Sequence, residues 1–209
     1  ANADAFVALQ AYLRAQFPHA FGAVDLERIS DRSLLLRWPG SDPKLAPAMF
    51  MAHQDVVPIA PGTEADWTHP PFDGVIADGF IWGRGAWDDK SQVLGLLEAL
   101  DRLVGEGVQP RRTIYFAFGH DEETGGVRGA QQIAKLLEAR GVKLEFVLDE
   151  GLMITDGIVP GVRPPAALIG AGEKGYLTLE LSVKTAPGHS SIPPRRTAIG
   201  ILSAAIARV

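Results

Sequence analysis

His53 and Asp55 stand two apart at the end of an apolar run, "APAMFMAHQD". Residues two apart on an extended chain point to the same side. An imidazole and a carboxylate so placed either hydrogen-bond to one another at a strand end or hold a ligand. Other acidic clusters follow along the chain. "GRGAWDDK" supplies Asp88 and Asp89, "HDEETGG" supplies Glu122 and Glu123, and "VLDEG" supplies Asp149 and Glu150. Carboxylates gathered in one place repel each other strongly unless a cation lies among them. Nitrogen and oxygen donors without sulfur suit zinc, with cobalt or manganese as alternatives. The chain has no cysteine, so disulfides and thiolate metal sites are excluded.

The surrounding pattern says what must position these groups. Residues 4 to 16 read as a helix, with Phe6, Leu9, Tyr12 and Leu13 at steps of three and four. "RSLLLRWPG" and "APAMFMAHQ" read as strands. "DGVIADGFIWGRG" alternates around Asp78-Gly79, a hairpin signal. A helix is expected from about Lys90 to Val104, burying Val93, Leu97, Leu100 and Val104. "RTIYFAFGHD" is a further apolar strand. "TGGVRGAQQIAKLLEARG" is a helix opened by glycines and ended at Gly141, and "KLEFVLDEG" is a third buried strand. Strand, helix, strand, helix, strand from Ala46 to Asp149 is the order of a three-layer α/β fold with a mostly parallel sheet. Each acidic cluster then follows the carboxyl end of a strand, where open α/β sheets place their sites.

After Asp149 the order changes. "PPAALIGAGEKGYLTLELSVKT" carries two strand-like segments with no helix between them, and "GYLTLELSV" alternates as a half-exposed antiparallel strand would. A helix begins near Thr197. The expected division is a catalytic part over 1–169 and, over 170–209, the start of an α+β lid or dimerisation domain that is cut short.

Composition excludes several classes. The 209 residues are 46% hydrophobic and 22% charged, an ordinary balance for a globular chain. The net charge of -5 offers no general attraction to nucleic acid, and no basic stripe is visible. No apolar run approaches the ~18 residues that span a membrane. The first residues read as an amphipathic helix, not as a basic, cleavable signal, so no targeting segment is visible and no compartment is assigned.

"HQDVVP", "GRGAWDDK", "HDEETGG" and "VLDEG", in this order, resemble the dinuclear zinc metallopeptidase family of aminoacylase, glutamate carboxypeptidase and carboxypeptidase S. The stretch from Asp66 to Lys90 is most similar to the carboxypeptidase S and Gly-Xaa carboxypeptidase branch, which includes N-acyl amino acid hydrolases. The resemblance implies two zinc ions. It makes His53 a ligand of one metal, Asp88 the bridge, Glu123 a ligand of the other, and Asp149 the ligand that completes the His53 metal, with Glu150 as the alternative. It makes Asp55 the partner that orients His53 and Glu122 the general base. It gives His189, in "PGHSS", contact with the substrate carbonyl from the smaller domain, often across a homodimer. It also suggests a cis peptide bond between Asp88 and Asp89, with the Asp89 side chain turned from the metals.

The implied chemistry is hydrolysis. Water made acidic by two metals gives its proton to Glu122 and attacks an amide carbonyl, and Glu122 returns the proton to the leaving amine. A second donor such as His189 steadies the oxyanion. The expected substrate is a small peptide or N-acyl amino acid with a free carboxylate. The family's last metal ligand is a histidine near the far C-terminus. No histidine follows His189, so the Glu123 metal is expected to lack a ligand in this chain.

Each motif alone has an ordinary explanation. His-x-Asp is commonly structural, "DD" before a helix commonly caps it, "DEE" is commonly a solvated turn, and "GHSS" a loop. Their joint placement on one sheet edge favours a site. His19, His69 and His120 are assigned to surface or loop roles, and Trp67, Trp82 and Trp87 to packing. A metal-free binding module on an inactive peptidase scaffold is the competing reading. A serine hydrolase is disfavoured because no Gly-x-Ser-x-Gly elbow occurs.

Overall fold

The computed structural model describes residues 3–172 and 174–209. The chain divides into two compact units, Ala1–Gly151 and Leu152–Val209. The expected lid, from residue 170, lies inside the second.

In the first unit the main elements are α1 (Ala3–Gln16), α2 (Pro18–Ala23), β1 (Asp25–Ile29), β2 (Ser33–Trp38), β3 (Ala48–His53), β4 (Val75–Ala77), β5 (Phe80–Trp82), α3 (Lys90–Gly105), β6 (Ile114–Gly119), α4 (Ala130–Ala139) and β7 (Phe146–Leu148). The central sheet has the order β1-β2-β6-β3-β7. β3 pairs parallel with β6 and β7, and only β2 runs against the rest.

Side-chain alternation explains the layers. Leu34, Leu36, Phe116 and Phe118 face one way and pack with Leu13, Phe17, Val93 and Leu97 of α1, α3 and the α1–α2 junction. Leu35, Met49, Tyr115 and Ala117 face the other way and pack with Ile133 and Leu137 of α4. With helices on both faces, β2 and β6 can be apolar nearly throughout, as covered strands are. Truncating Leu97, which is fully buried, to Ala is expected to cost ~2–5 kcal/mol.

Several local expectations meet corrections. β1, "DLERI", is largely polar and gives no strand periodicity; it is an edge strand held by pairing to β2 and by a bidentate Arg140–Glu27 pair at 2.6 and 2.7 Å. Tyr12 of α1 is 55% exposed, and Gln10 is buried instead. β7, expected as a buried strand, has Phe146, Val147 and Leu148 about half exposed. It lies at the sheet edge and, among the described residues, pairs only with β3. The expected hairpin is present: Asp78 and Gly79 both have positive φ, 52° and 79°, as the tight two-residue turn joining β4 to β5 requires.

In the second unit, β8 (Ile154–Thr155) pairs with β9 (Ala166–Ala167). α5 (Ala198–Ile206) starts where expected, with Thr197 capping the Gly200 N–H. "GYLTLELSV" forms no strand. Its alternation suits one, but a strand needs a neighbour's N–H and C=O groups, and no described segment pairs with it. Among the described residues no helix is long and apolar enough to cross a membrane.

Candidate metal centre

β3 ends on His53, opposite Gly119, the last residue of β6. The parallel strands therefore deliver their following loops to one edge. His53 is 2% exposed. Its Nδ1 faces its own chain, 3.1 Å from the Asp55 carbonyl and 3.3 Å from Asp55 Oδ1. Its Nε2 faces the acidic groups: Asp88 Oδ1 at 2.9 Å, Glu150 Oε1 at 3.5 Å and Glu122 Oε2 at 3.8 Å. Donor atoms of His53, Asp88 and Glu150 lie within 4.8 Å of one another, as do those of His53, Glu122 and Glu123.

Asp55 is buried and faces the loop after β6. Its Oδ1 accepts the Glu122 N–H and its Oδ2 the Glu123 N–H, each at 3.2 Å. Glu123 Oε1 in turn accepts the Val57 N–H at 3.2 Å. Asp121 folds the same loop by accepting the Arg128 N–H at 2.7 Å. Gly129 lets the start of α4 close on it: a Cβ there would stand 2.5 Å from Asp121 Oδ1 and 2.9 Å from Ser33 Oγ.

The Asp88-Asp89 peptide bond is cis, as the motif suggested. Asp88 sends its carboxylate to His53, and Asp89 is buried with Oδ2 accepting the His53 N–H at 3.2 Å. Glu150, not Asp149, joins His53 in the donor cluster. Asp149 Oδ1 is turned back onto the Glu150 N–H at 3.0 Å, although Asp149 still lines a cavity of about 30 Å³ with His53 and Glu122. His189 lies in the second unit, exposed, with Nδ1 engaged by Ser191 at 2.8 Å.

The profile of "Peptidase family M20/M25/M40" matches residues 49–208. The chain belongs to this family. It is 48% identical to the N-fatty-acyl-amino acid synthase/hydrolase PM20D1 of Xenopus tropicalis over 200 residues, 95% of this chain and 38% of that protein. It is 39% identical to carboxypeptidase S of Saccharomyces cerevisiae over 204 residues, 95% of this chain and 34% of that one. The chain thus spans about two fifths of the length of such relatives. Human carnosine dipeptidase 1 superposes with a TM-score of 0.55 at 22% identity, covering 69% of this chain and 33% of that one. The metallo-carboxypeptidase Sso-CP2 of Sulfolobus solfataricus superposes with 0.54 at 22% identity, over 69% and 32%. At such identities the likeness is one of fold, and it establishes the M20 α/β architecture.

Electrostatics in the M20 cluster test whether a cation fits. Burial by itself would push His53 down, but the Asp55 and Asp88 hydrogen bonds and the charges of Glu150 and Asp55 outweigh it and carry the imidazole up to about 10. Burial pushes Glu150 up to about 7, with help from the Asp89 charge. Burial raises Asp89 to about 6 against the His53 hydrogen bond and charge. Glu122 is raised by burial, opposed by His53 and reinforced by Glu123, Asp55 and Asp88. Burial raises Asp55, yet its hydrogen bonds with His53, Glu123 and Glu122 leave it below the usual range. The cluster thus demands positive charge, and His53 meets that demand by holding a proton. A divalent cation among the same nitrogen and oxygen donors would also meet it, in place of that proton. The donor set fits such ions.

Other residues differ from expectation. His120 lies in the loop after β6, as one of its two expected roles allowed, but it is buried: Nδ1 meets Ser33 Oγ at 2.6 Å and the ring abuts Phe6 of α1. Trp87, assigned to packing, is 80% exposed. Gln54, between His53 and Asp55, donates to Arg32 O, Phe118 O and Gly119 O and accepts from Gln10. A lone amide inside an apolar strand end was the one signal for it.

Proposed function

We propose that this chain is the metal-binding part of a metal-dependent hydrolase that cleaves an amide bond in a small peptide or N-acyl amino acid with a free carboxylate. The observation that carries this reading is the approach of the Asp88, Glu122 and Glu150 carboxylates to His53 Nε2. Family membership and relatives named as carboxypeptidase S and N-fatty-acyl-amino acid synthase/hydrolase support the substrate class.

In this reading His53, Asp88 and a carboxylate of the Asp149–Glu150 pair would hold one ion, and Asp88 with Glu123 would hold the second. Zinc suits the donors, with cobalt or manganese as substitutes. When bound, two such ions lower the pKa of water and polarise a carbonyl. Glu122 takes the proton of the attacking water and returns it to the leaving amine. Its raised pKa suits both steps. Asp55 fixes the His53 ring from the Nδ1 side and holds the loop that presents Glu122. His189 acts as an oxyanion donor. Ser191 N–H points at its Nδ1 at 3.3 Å, so its Nε2 is the ring nitrogen that Ser191 leaves open. The region from residue 170 begins a lid domain through which a homodimer forms.

The test is metal analysis of the full-length protein with a screen of dipeptides and N-acyl amino acids. Near-stoichiometric divalent metal and chelator-sensitive release of a free amino acid are expected. A full-length protein that binds no divalent metal would sink the proposal and favour an inactive binding module.

A further inference from the structure

The position of His53 depends on backbone groups that no strand among the described residues pairs. β3 has β6 on one side and β7 on the other. Gln54 N–H reaches Gly119 O of β6, so the odd-numbered neighbours Met51 and His53 turn their backbone groups toward the β7 side. β7 stops early: its pairing with β3 covers only Ala48, Met49 and Phe50. In a parallel ladder one residue donates to the C=O before its partner and accepts from the N–H after it. Continued at the same register, Glu150 would stand opposite Ala52 and satisfy Met51 O and His53 N–H. Glu150 has left the sheet, and its carboxylate approaches His53 Nε2 instead.

Two side chains at the start of α3 take over those backbone groups. Gln92 Nε2 donates to Met51 O at 2.7 Å. Asp89 Oδ2 accepts the His53 N–H at 3.2 Å. A donor and an acceptor thus occupy the places of one peptide unit. Asp89 is 3% exposed, so water does not compete for the bond. An unpaired N–H at His53, itself buried, would otherwise carry the full cost of desolvation.

We propose that Asp89 and Gln92 are positioning residues that stand in for the missing β7 residue. They lock the end of β3, and with it the His53 ring, while freeing Glu150 to turn its carboxylate toward the site. The role of His53 as a ligand rests on the function proposed above; the clamp itself does not.

The test uses full-length protein carrying D89A, D89N, Q92A or Q92E, with amide hydrogen exchange at His53 measured metal-free and zinc affinity measured by calorimetry. Asn keeps an acceptor at position 89; Glu cannot donate at position 92 when ionised. D89A is expected to speed exchange at His53 by about five- to tenfold, the change one net hydrogen bond implies. It is also expected to weaken zinc binding by ~10–100-fold, as loss of a group that orients a ligand does. D89N is expected to restore both. Q92A and Q92E are expected to weaken zinc binding in the same sense, and they carry the test if D89A does not fold. Unchanged exchange at His53 in D89A, no rescue by D89N, or unaltered zinc affinity in both Gln92 variants would overturn the clamp. A wild-type protein that takes up no zinc would overturn the proposed function but leave the exchange comparison decisive.

Discussion

Asp55 holds Glu122 by its backbone: Asp55 Oδ1 accepts the Glu122 N–H at 3.2 Å, while the same oxygen lies 3.3 Å from His53 Nδ1. One buried carboxylate therefore sets both the ring that faces the donor cluster and the loop that carries the proposed base. Asp55→Ala removes both supports and is expected to weaken metal binding or turnover by ~10–100-fold. Asp55→Asn keeps an acceptor and should lose less. Calorimetric metal affinity with steady-state kinetics decides it, and an Asp55→Ala protein with wild-type values in both removes Asp55 from the site.

Glu122 and its neighbour should separate chemistry from binding. Glu122→Gln keeps the shape and loses the proton acceptor. Turnover is expected to fall by ~10²–10⁴-fold while metal content holds. Glu123→Gln should lower metal content instead. Near-normal turnover in Glu122→Gln would assign the base elsewhere.

Much of the fold was legible because covered sheets and amphipathic helices leave strong periodicities. The order β3, α3, β6, α4, β7 follows from apolar runs broken at Gly and Asp. β1 was not legible because its polar residues give no periodicity and only pairing to β2 makes it a strand. "GYLTLELSV" misled in the opposite sense, since alternation shows which face is apolar but not whether a partner exists. At the site, residue type exposed His53, Asp55, Asp88, Glu122 and Glu123. Gln92 stayed hidden because its role depends on a backbone carbonyl that β7 leaves unpaired. The preference for Glu150 over Asp149 was hidden for a related reason: the backbone after β7, not composition, decides which of two adjacent carboxylates turns inward.

That preference is testable by separate substitution. Glu150 Oε1 lies 3.5 Å from His53 Nε2, whereas Asp149 caps the Glu150 N–H. Glu150→Gln is expected to weaken the metal at His53 more than Asp149→Asn, by about tenfold or more. The reverse order in calorimetry would return the ligand role to Asp149 and reduce Glu150 to a charged neighbour.

Proton release offers the last test, and its sign follows from the metal-free cluster. His53 is raised to about 10, so the ring is protonated at neutral pH before a metal enters. A ligating imidazole must be neutral, so uptake expels that proton. Glu150 is raised to about 7 and Asp89 to about 6, both mainly by burial. At pH 8 both are ionised and His53 alone supplies a proton. At pH 6 Glu150 is mostly protonated and Asp89 about half so, and an entering cation drives them to ionise. Zinc uptake is therefore expected to release about one proton at pH 8 and about two or more at pH 6. Affinity should rise with pH over this window. Calorimetry in buffers of different ionisation enthalpy reads the count directly. Glu150→Gln should remove about one proton from the pH 6 value and leave the pH 8 value unchanged. Equal release at both pH values in the wild type would mean that Glu150 ionises at an ordinary carboxylate pH and that the cluster does not meet the incoming metal as one unit.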